Sequence, residues 1–277
     1  MPHIKNIITQ TLRLTQAVII RTIIAHLLIK TRACFTMLPS VSIVIPIYRD
    51  KEKIGSTIDL LADFMAKQGW NAELIIVNDG GTDGGVRIVE EKKNLHPFIK
   101  LINRTINKGK GYTVREGLAT AKGDFLFFTD ADLPYLTKPI ATMFKLLNTG
   151  KTDLVLASRD QSDEQVTKPN WPRQITHVFY SHFVRFFIPI PFSDTLAGLK
   201  GMRQEVARVI LPELTVDRFS FDVELILATQ IAGFKITELP VSLKNVGKSN
   251  LNIRRDAPKM IEEIWHIWRN YKKGHYR

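Results

Sequence analysis

Carboxylates recur at the ends of apolar runs in this sequence. Asp50 follows the run 41–47, Asp79 follows 73–78, and the pair Asp130/Asp132 follows 124–129. Two acids two positions apart repel each other unless a cation or hydrogen bonds compensate. A donor set made only of oxygen suits Mg²⁺ or Mn²⁺, ions that keep several waters and bridge to substrate phosphates. Taken alone, Asp130-Ala131-Asp132 is equally a solvated turn, so its meaning depends on the elements around it.

Those elements alternate. Residues 41–47 read as a β-branched strand, 51–67 as a helix, 73–78 as a strand, and a further helix runs to about Asn94. Strands are expected at 98–102, 124–129 and 153–157, with helices at 109–121 and 139–147. Apolar strands alternating with helices predict an α/β fold, a mostly parallel doubly wound sheet covered on both faces. In such sheets ligands bind beyond the carboxyl ends of the strands, where the acids fall. After residue 160 the rhythm breaks. A polar loop at 161–172 and an aromatic helix at 173–187 are expected, then a strand within 192–202 and a helix to about 211. A helix at 219–232 and a strand at 234–243 follow.

The 277 residues carry 39 Lys+Arg against 27 Asp+Glu, a net charge of +12. Hydrophobic residues make up 44% and aromatics 9%, which excludes disorder, collagen and coiled coil as the main state. The lone Cys34 excludes an intramolecular disulfide and a cysteine metal cluster. Residues 1–36 hold five basic residues and no acid, and 244–277 hold nine basic residues against three acids. The ends therefore carry +11 of the +12 around a near-neutral middle. Basic tails favour a membrane surface over a nucleic-acid groove, and no nucleic acid is expected as partner.

No run of about 18 uncharged apolar residues predicts a membrane span. Residues 14–29 are apolar but contain Arg21 and His26. They read as an interfacial helix, a signal-like segment, or an upstream extension with Met37 as an alternative start. At 256–271 a better amphipathic helix is expected, with Pro258 in its first turn. Its stripe is Met260, Ile261, Ile264, Trp265 and Trp268, suited to packing on the core, to a lipid interface, or to both. The expected organisation is an extension at 1–36, a domain at 37–250 and a basic C-terminal helix at 251–277.

The ordered motifs narrow the chemistry. Val41–Tyr48 with Asp50, Val77-Asn-Asp-Gly-Gly-Thr-Asp83, Asn107-Lys-Gly-Lys-Gly-Tyr-Thr-Val-Arg115-Glu-Gly117 and Asp130-Ala-Asp132 succeed one another. The set resembles the family-2 glycosyltransferases of the GT-A fold. Within these it is most similar to the polyprenyl-phosphate glycosyltransferases, the dolichyl-phosphate glucose and mannose synthases. The segment before Asp130-Ala-Asp132-Leu lies nearest the glucose branch. Likeness continues through Ala157-Ser158-Arg159, Asp194-Thr195, Gly198-Leu-Lys200 and Phe221-Asp222-Val-Glu224, spanning roughly 41–250.

The resemblance implies roles. Pro46, Tyr48 and Asp50 would line the base and ribose pocket, though the family usually has Glu where Asp50 stands. Asp79 would bind base or ribose, with Asn78 and Gly81 departing from the common D-D-G-S-T-D. Lys110 and Arg115 would lie near the sugar nucleotide. Asp130 would sit by ribose and diphosphate, and Asp132 would be the main metal ligand. Pro134 stands where mannose synthases often carry Gln. Arg159 and Arg173 match positions that hold the acceptor phosphate, and two guanidinium groups can clamp a phosphate with paired planar bonds. Lys248-Ser249 matches an acceptor loop loosely, without the arginine expected before it.

The implied reaction moves a hexose from a UDP- or GDP-sugar, UDP-glucose favoured, to polyprenyl or dolichyl phosphate. It implies a peripheral enzyme on the cytoplasmic face of a membrane, using Mg²⁺ or Mn²⁺. A phosphate monoester is already largely dianionic near neutral pH, so such an acceptor needs no general base. A saccharide hydroxyl would need one, and Asp194, Asp222 and Glu224 are the candidates. A transferase acting on a saccharide is therefore the main alternative. A non-catalytic binding module and a nucleic-acid binder are the others.

Overall fold

The computed structural model describes residues 39–159, 180–192, 194–242 and 253–276, with side chains of the last segment from 256. Expectations for 1–36, the whole 161–172 loop, the first part of the 173–187 helix with Arg173, and Lys248 and Ser249 lie outside the described residues.

Among the described residues, seven strands form one sheet. They are β1 (Ser40–Ile47), β2 (Asn71–Asp79), β3 (Ile99–Arg104), β4 (Phe125–Phe128), β5 (Leu154–Arg159), β6 (Lys200–Arg203) and β7 (Ile236–Val241). Their order is β3-β2-β1-β4-β6-β5-β7. All neighbours run parallel except β6, which is antiparallel to both β4 and β5. The α/β, mostly parallel expectation is borne out, with one reversed strand.

Seven helices are named by their bounds: α1 (Lys51–Gln68), α2 (Gly85–Leu95), α3 (Lys110–Thr120), α4 (Lys138–Asn148), α6 (Gln204–Ile210), α7 (Phe221–Ile231) and α8 (Ile253–Lys272). Residues 180–187 are also helical and are called α5. Strand residues alternate between two apolar layers, as the period of two requires. Ile43, Ile45, Leu74, Ile76 and Phe127 pack on Ile54, Ile58 and Leu61 of α1 and on Ile140 and Met143 of α4. Val44, Ile75, Val77 and Phe128 pack on the other face with Val114 of α3 and Phe221 of α7. Met260, Ile264 and Ile267 of α8 belong to that second layer. The expected α8 stripe is thus divided, because Ile261 and Trp265 stay exposed on the neighbouring face. The helix also begins before the expected start, so Pro258 lies inside it.

This order creates the site. From β1 the sheet runs outward through β2 to β3 on one side and through β4 on the other. The strand order reverses at β1 and β4, the place where an open α/β sheet is expected to bind its ligand. Asp50 follows β1, and Asp130 and Asp132 follow β4, so the acids flank that place.

Candidate active site

The turn after β4 is pinned from below. Thr57 of α1 donates its hydroxyl to the Ala131 carbonyl at 2.6 Å, and Leu133 N–H bonds to Asp130 O at 3.1 Å. Ala131 and Leu133 are buried, which leaves Asp130 and Asp132 on the open side. Leu133 and Leu136 adopt positive φ of 42° and 56°, so the turn is tight as well as anchored. A Cβ at Gly198 would come within 2.6 Å of Asp130 Cγ, so only glycine allows the carboxylate its place.

Cations surround these acids at different distances. Lys110 Nζ, from the first residue of α3, meets Asp130 Oδ1 at 2.7 Å. Burial acts to lower the Lys110 pKa, but Asp130, Asp222 and Asp132 outweigh it and the net shift is upward, so the ammonium stays charged. Lys53 Nζ, on the first turn of α1, lies 3.8 Å from both Asp50 Oδ1 and Asp132 Oδ2. Burial raises the Asp132 pKa, with repulsion from Asp130 and Asp50 adding and Lys53 opposing. Burial likewise raises Asp50, against the Tyr48 N–H that its carboxylate accepts at 2.9 Å.

This donor set fits a hard divalent ion. It offers only oxygen, and a bound cation would offset the burial and the repulsion from neighbouring carboxylates that raise Asp132 and Asp50. Among the described residues no three acidic, histidine or cysteine side chains converge as a metal cage. An ion here would complete its shell with water and phosphate oxygen, as Mg²⁺ commonly does.

The other expected residues divide into those beside the acids and those used elsewhere. Pro46 and Tyr48 occupy the β1 end, with Arg49 at φ 58° and its guanidinium over the Tyr48 ring. Asp79 is buried and accepts bonds from Arg104 Nη2 (2.5 Å), Lys108 N (2.7 Å) and Gly109 N (2.9 Å). Its carboxylate thus shapes the loop before α3. There Gly109 holds φ 104° beside the Asp217 carbonyl, a conformation that favours glycine. Arg115 binds Leu214 O (2.9 Å) and Asp217 Oδ1 (2.6 Å), which turns its guanidinium to the 214–217 segment. Arg159 forks onto Asp194 with two bonds of 2.6 Å, and its own backbone N–H adds a third.

The candidate bases are engaged too. Asp194 holds Arg159. Asp222 pairs with the fully buried Lys200 at 2.6 Å, whose ammonium also reaches the Ala197 carbonyl at 2.8 Å. Glu224, 0% exposed, accepts from Thr215 N, Thr215 Oγ1, Val216 N and Tyr276 Oη at 2.7–2.9 Å. Sequence reading missed Lys53 and Thr57. The i,i+3 spacing of Asp50 and Lys53 was an available signal for the first. Nothing in the sequence marked the Thr57 contact, which spans 74 positions.

Comparison with known proteins adds an independent reading. The glycosyl transferase family 2 signature matches residues 42–211. The chain is 26% identical over 245 residues to a dolichyl-phosphate beta-glucosyltransferase of Dictyostelium discoideum, covering 84% of this chain and 75% of that one. It is 29% identical over 255 residues to the enzyme of that name from Saccharomyces cerevisiae, covering 85% and 76%. Among solved structures it is similar to glucosyl-3-phosphoglycerate synthase from Mycobacterium tuberculosis in complex with Mn²⁺, UDP-glucose and phosphoglyceric acid. That likeness has a TM-score of 0.64 at 16% identity, over 83% of this chain and 78% of that one, and it bears on the fold.

Proposed function

The chain belongs to glycosyl transferase family 2 and is a glycosyltransferase, and from this premise we propose that it transfers a hexose from a nucleotide sugar, UDP-glucose favoured, to polyprenyl or dolichyl phosphate. The observation that carries the acceptor class is that Asp194, Asp222 and Glu224 are buried and already engaged by ion pairs or hydrogen bonds within the protein. A saccharide hydroxyl needs a carboxylate base to remove its proton as it attacks. A phosphate monoester brings a nucleophilic oxygen that is already deprotonated. Its requirement is positioning and charge balance, which this site is built to give.

In this reading Asp132, with Asp130, holds Mg²⁺ or Mn²⁺, which supplies positive charge beside the departing nucleoside diphosphate. Lys110 adds a second, fixed positive charge there. Pro46, Tyr48 and Asp50 line the base and ribose pocket. Asp79 contributes by holding the loop before α3, and Arg115 by holding the 214–217 segment. Arg159 is the acceptor-phosphate residue within the described chain, oriented by Asp194, and Arg173, Lys248 and Ser249 complete that assignment. A single in-line displacement inverts the anomeric centre, so an α-linked donor yields a β-linked lipid-phosphate sugar.

The proposal extends to a membrane surface. Among the described residues no helix is long and apolar enough to cross a membrane. Phe186 is 82% exposed and Trp265 47%, and Phe187 joins them into one aromatic patch. Trp265 stacks on Trp268 at 4.7 Å, with Lys272 over the second ring. Aromatic rings ringed by cations suit the headgroup layer of an anionic leaflet.

The test is product formation with Mg²⁺ or Mn²⁺, a short polyprenyl phosphate and a panel of UDP- and GDP-hexoses. A β-linked lipid-phosphate sugar from one donor is the expected result. Asp132→Ala should lower turnover by about 10²-fold or more, the scale of a lost transition-state charge contact. Transfer to a saccharide hydroxyl and none to lipid phosphate would overturn the acceptor assignment.

A further inference from the structure

Around the site, three basic side chains pair tightly with the carboxylates of Asp130, Asp222 and Asp194. Lys110–Asp130, Lys200–Asp222 and Arg159–Asp194 lie at 2.6–2.7 Å, the span of a charge-assisted hydrogen bond. Lys53 differs. Its ammonium stands 3.8 Å from Asp50 Oδ1 and 3.8 Å from Asp132 Oδ2. It is placed between the two carboxylates and beyond hydrogen-bond distance of those oxygens. Its side chain is 32% exposed and starts from the first turn of α1, so the flexible stem can swing into solvent.

Resting on the reading that Asp132 binds a divalent ion, we propose that Lys53 is a stand-in cation. It balances Asp50 and Asp132 while no metal is bound, and it gives way when the metal arrives with a nucleoside diphosphate. The geometry supports each part. A +1 charge equidistant from a buried and a partly buried acid offsets their repulsion. A contact without a short bond is inexpensive to break. The diphosphate offers the departing ammonium new anionic oxygens, so displacement is coupled to the donor. Metal alone must displace Lys53 without that compensation and therefore binds weakly. Lys53 acts here as a positioning residue that sets the order in which metal and donor load.

The test is binding of Mn²⁺, followed by the electron paramagnetic resonance signal of the free ion, with and without UDP. Lys53→Met keeps the stem and removes the charge. It should tighten Mn²⁺ binding in the absence of UDP by about fivefold, the scale of a solvent-exposed ion pair. The gap between affinities with and without UDP should narrow accordingly. Lys53→Arg, which keeps the charge, should bind Mn²⁺ as the wild type does, and circular dichroism should show both variants folded. Unchanged Mn²⁺ affinity in Lys53→Met, with wild-type binding abolished by Asp132→Ala, would overturn the proposal and leave the metal site standing. Unchanged Mn²⁺ affinity with a raised KM for the nucleotide sugar would make Lys53 a donor contact instead. No Mn²⁺ binding by the wild type even with UDP would remove the metal reading and the proposal together.

Discussion

Asp132 is a half-buried carboxylate facing Asp130 and Asp50, and burial followed by their repulsion raises its pKa. A group whose pKa is raised on folding is most favourable protonated, and its contribution is lost as pH climbs through the folded value. At neutral pH the ionised side chain therefore destabilises the metal-free protein. Asp132→Asn should raise Tm by about 2–4 °C in EDTA at pH 7, while removing turnover. As pH falls through this raised pKa the difference should shrink, because the native carboxyl then takes up its proton. A lower Tm at pH 7 would show the charge to be supported by its surroundings. Gly198 makes the complementary case, since its missing side chain is what Asp130 occupies. Gly198→Ala should cost about 1–3 kcal/mol by overpacking. Because it displaces the carboxylate directly, kcat/KM should fall by more than the stability loss explains, as paired thermal melts and kinetics would show.

At the scale of elements, the candidate site was legible where acids close strands. Asp50 and the Asp130/Asp132 pair could be placed at strand ends because apolar runs of strand length stop just before them. Their meeting across β1 and β4 was less legible, because strand neighbours are chosen by packing between distant segments. The same limit explains β6: a strand is expected within 192–202 and stands at Lys200–Arg203, but direction within a sheet leaves no trace in periodicity. Helix α8 shows a third limit. Two apolar stripes adjoin on it, and only packing into the second apolar layer selects Met260, Ile264 and Ile267 for the core. Asp222 and Glu224 read from sequence as acids available for chemistry. In the structure α7 uses both to fasten its first turn, one onto β6 and one onto the 215–216 segment. Glu224→Gln should therefore destabilise by about 2 kcal/mol through weakened buried hydrogen bonds, with activity per folded molecule retained. A stable but inactive variant would return Glu224 to the list of catalytic groups.

For the whole molecule, charge and aromatic exposure point the same way. The excess of basic residues lies towards the two ends of the chain, and α5 and α8 present Phe186 and Trp265 beside exposed Arg185, Arg269 and Lys272. Replacing Phe186 and Trp265 together with serine should weaken sedimentation with anionic vesicles by about tenfold or more, from lost apolar burial. Transfer to a short, water-soluble acceptor should persist. Equal binding by the double variant would place the membrane contact elsewhere. The same two helices reach inward. Tyr180 of α5 donates to Ser220 Oγ at 3.1 Å, and Ser220 N donates to Glu263 of α8 at 3.0 Å, two residues before Asp222. Tyr276 closes the arrangement on Glu224 across 52 positions of sequence. During synthesis, then, the ribosome must deliver this whole span, and the exit tunnel release it, before the buried glutamate finds its last donor. Until then the early strands can assemble, but Glu224 stays one donor short, and a chaperone would meet a sheet still waiting for the helix that covers its second layer.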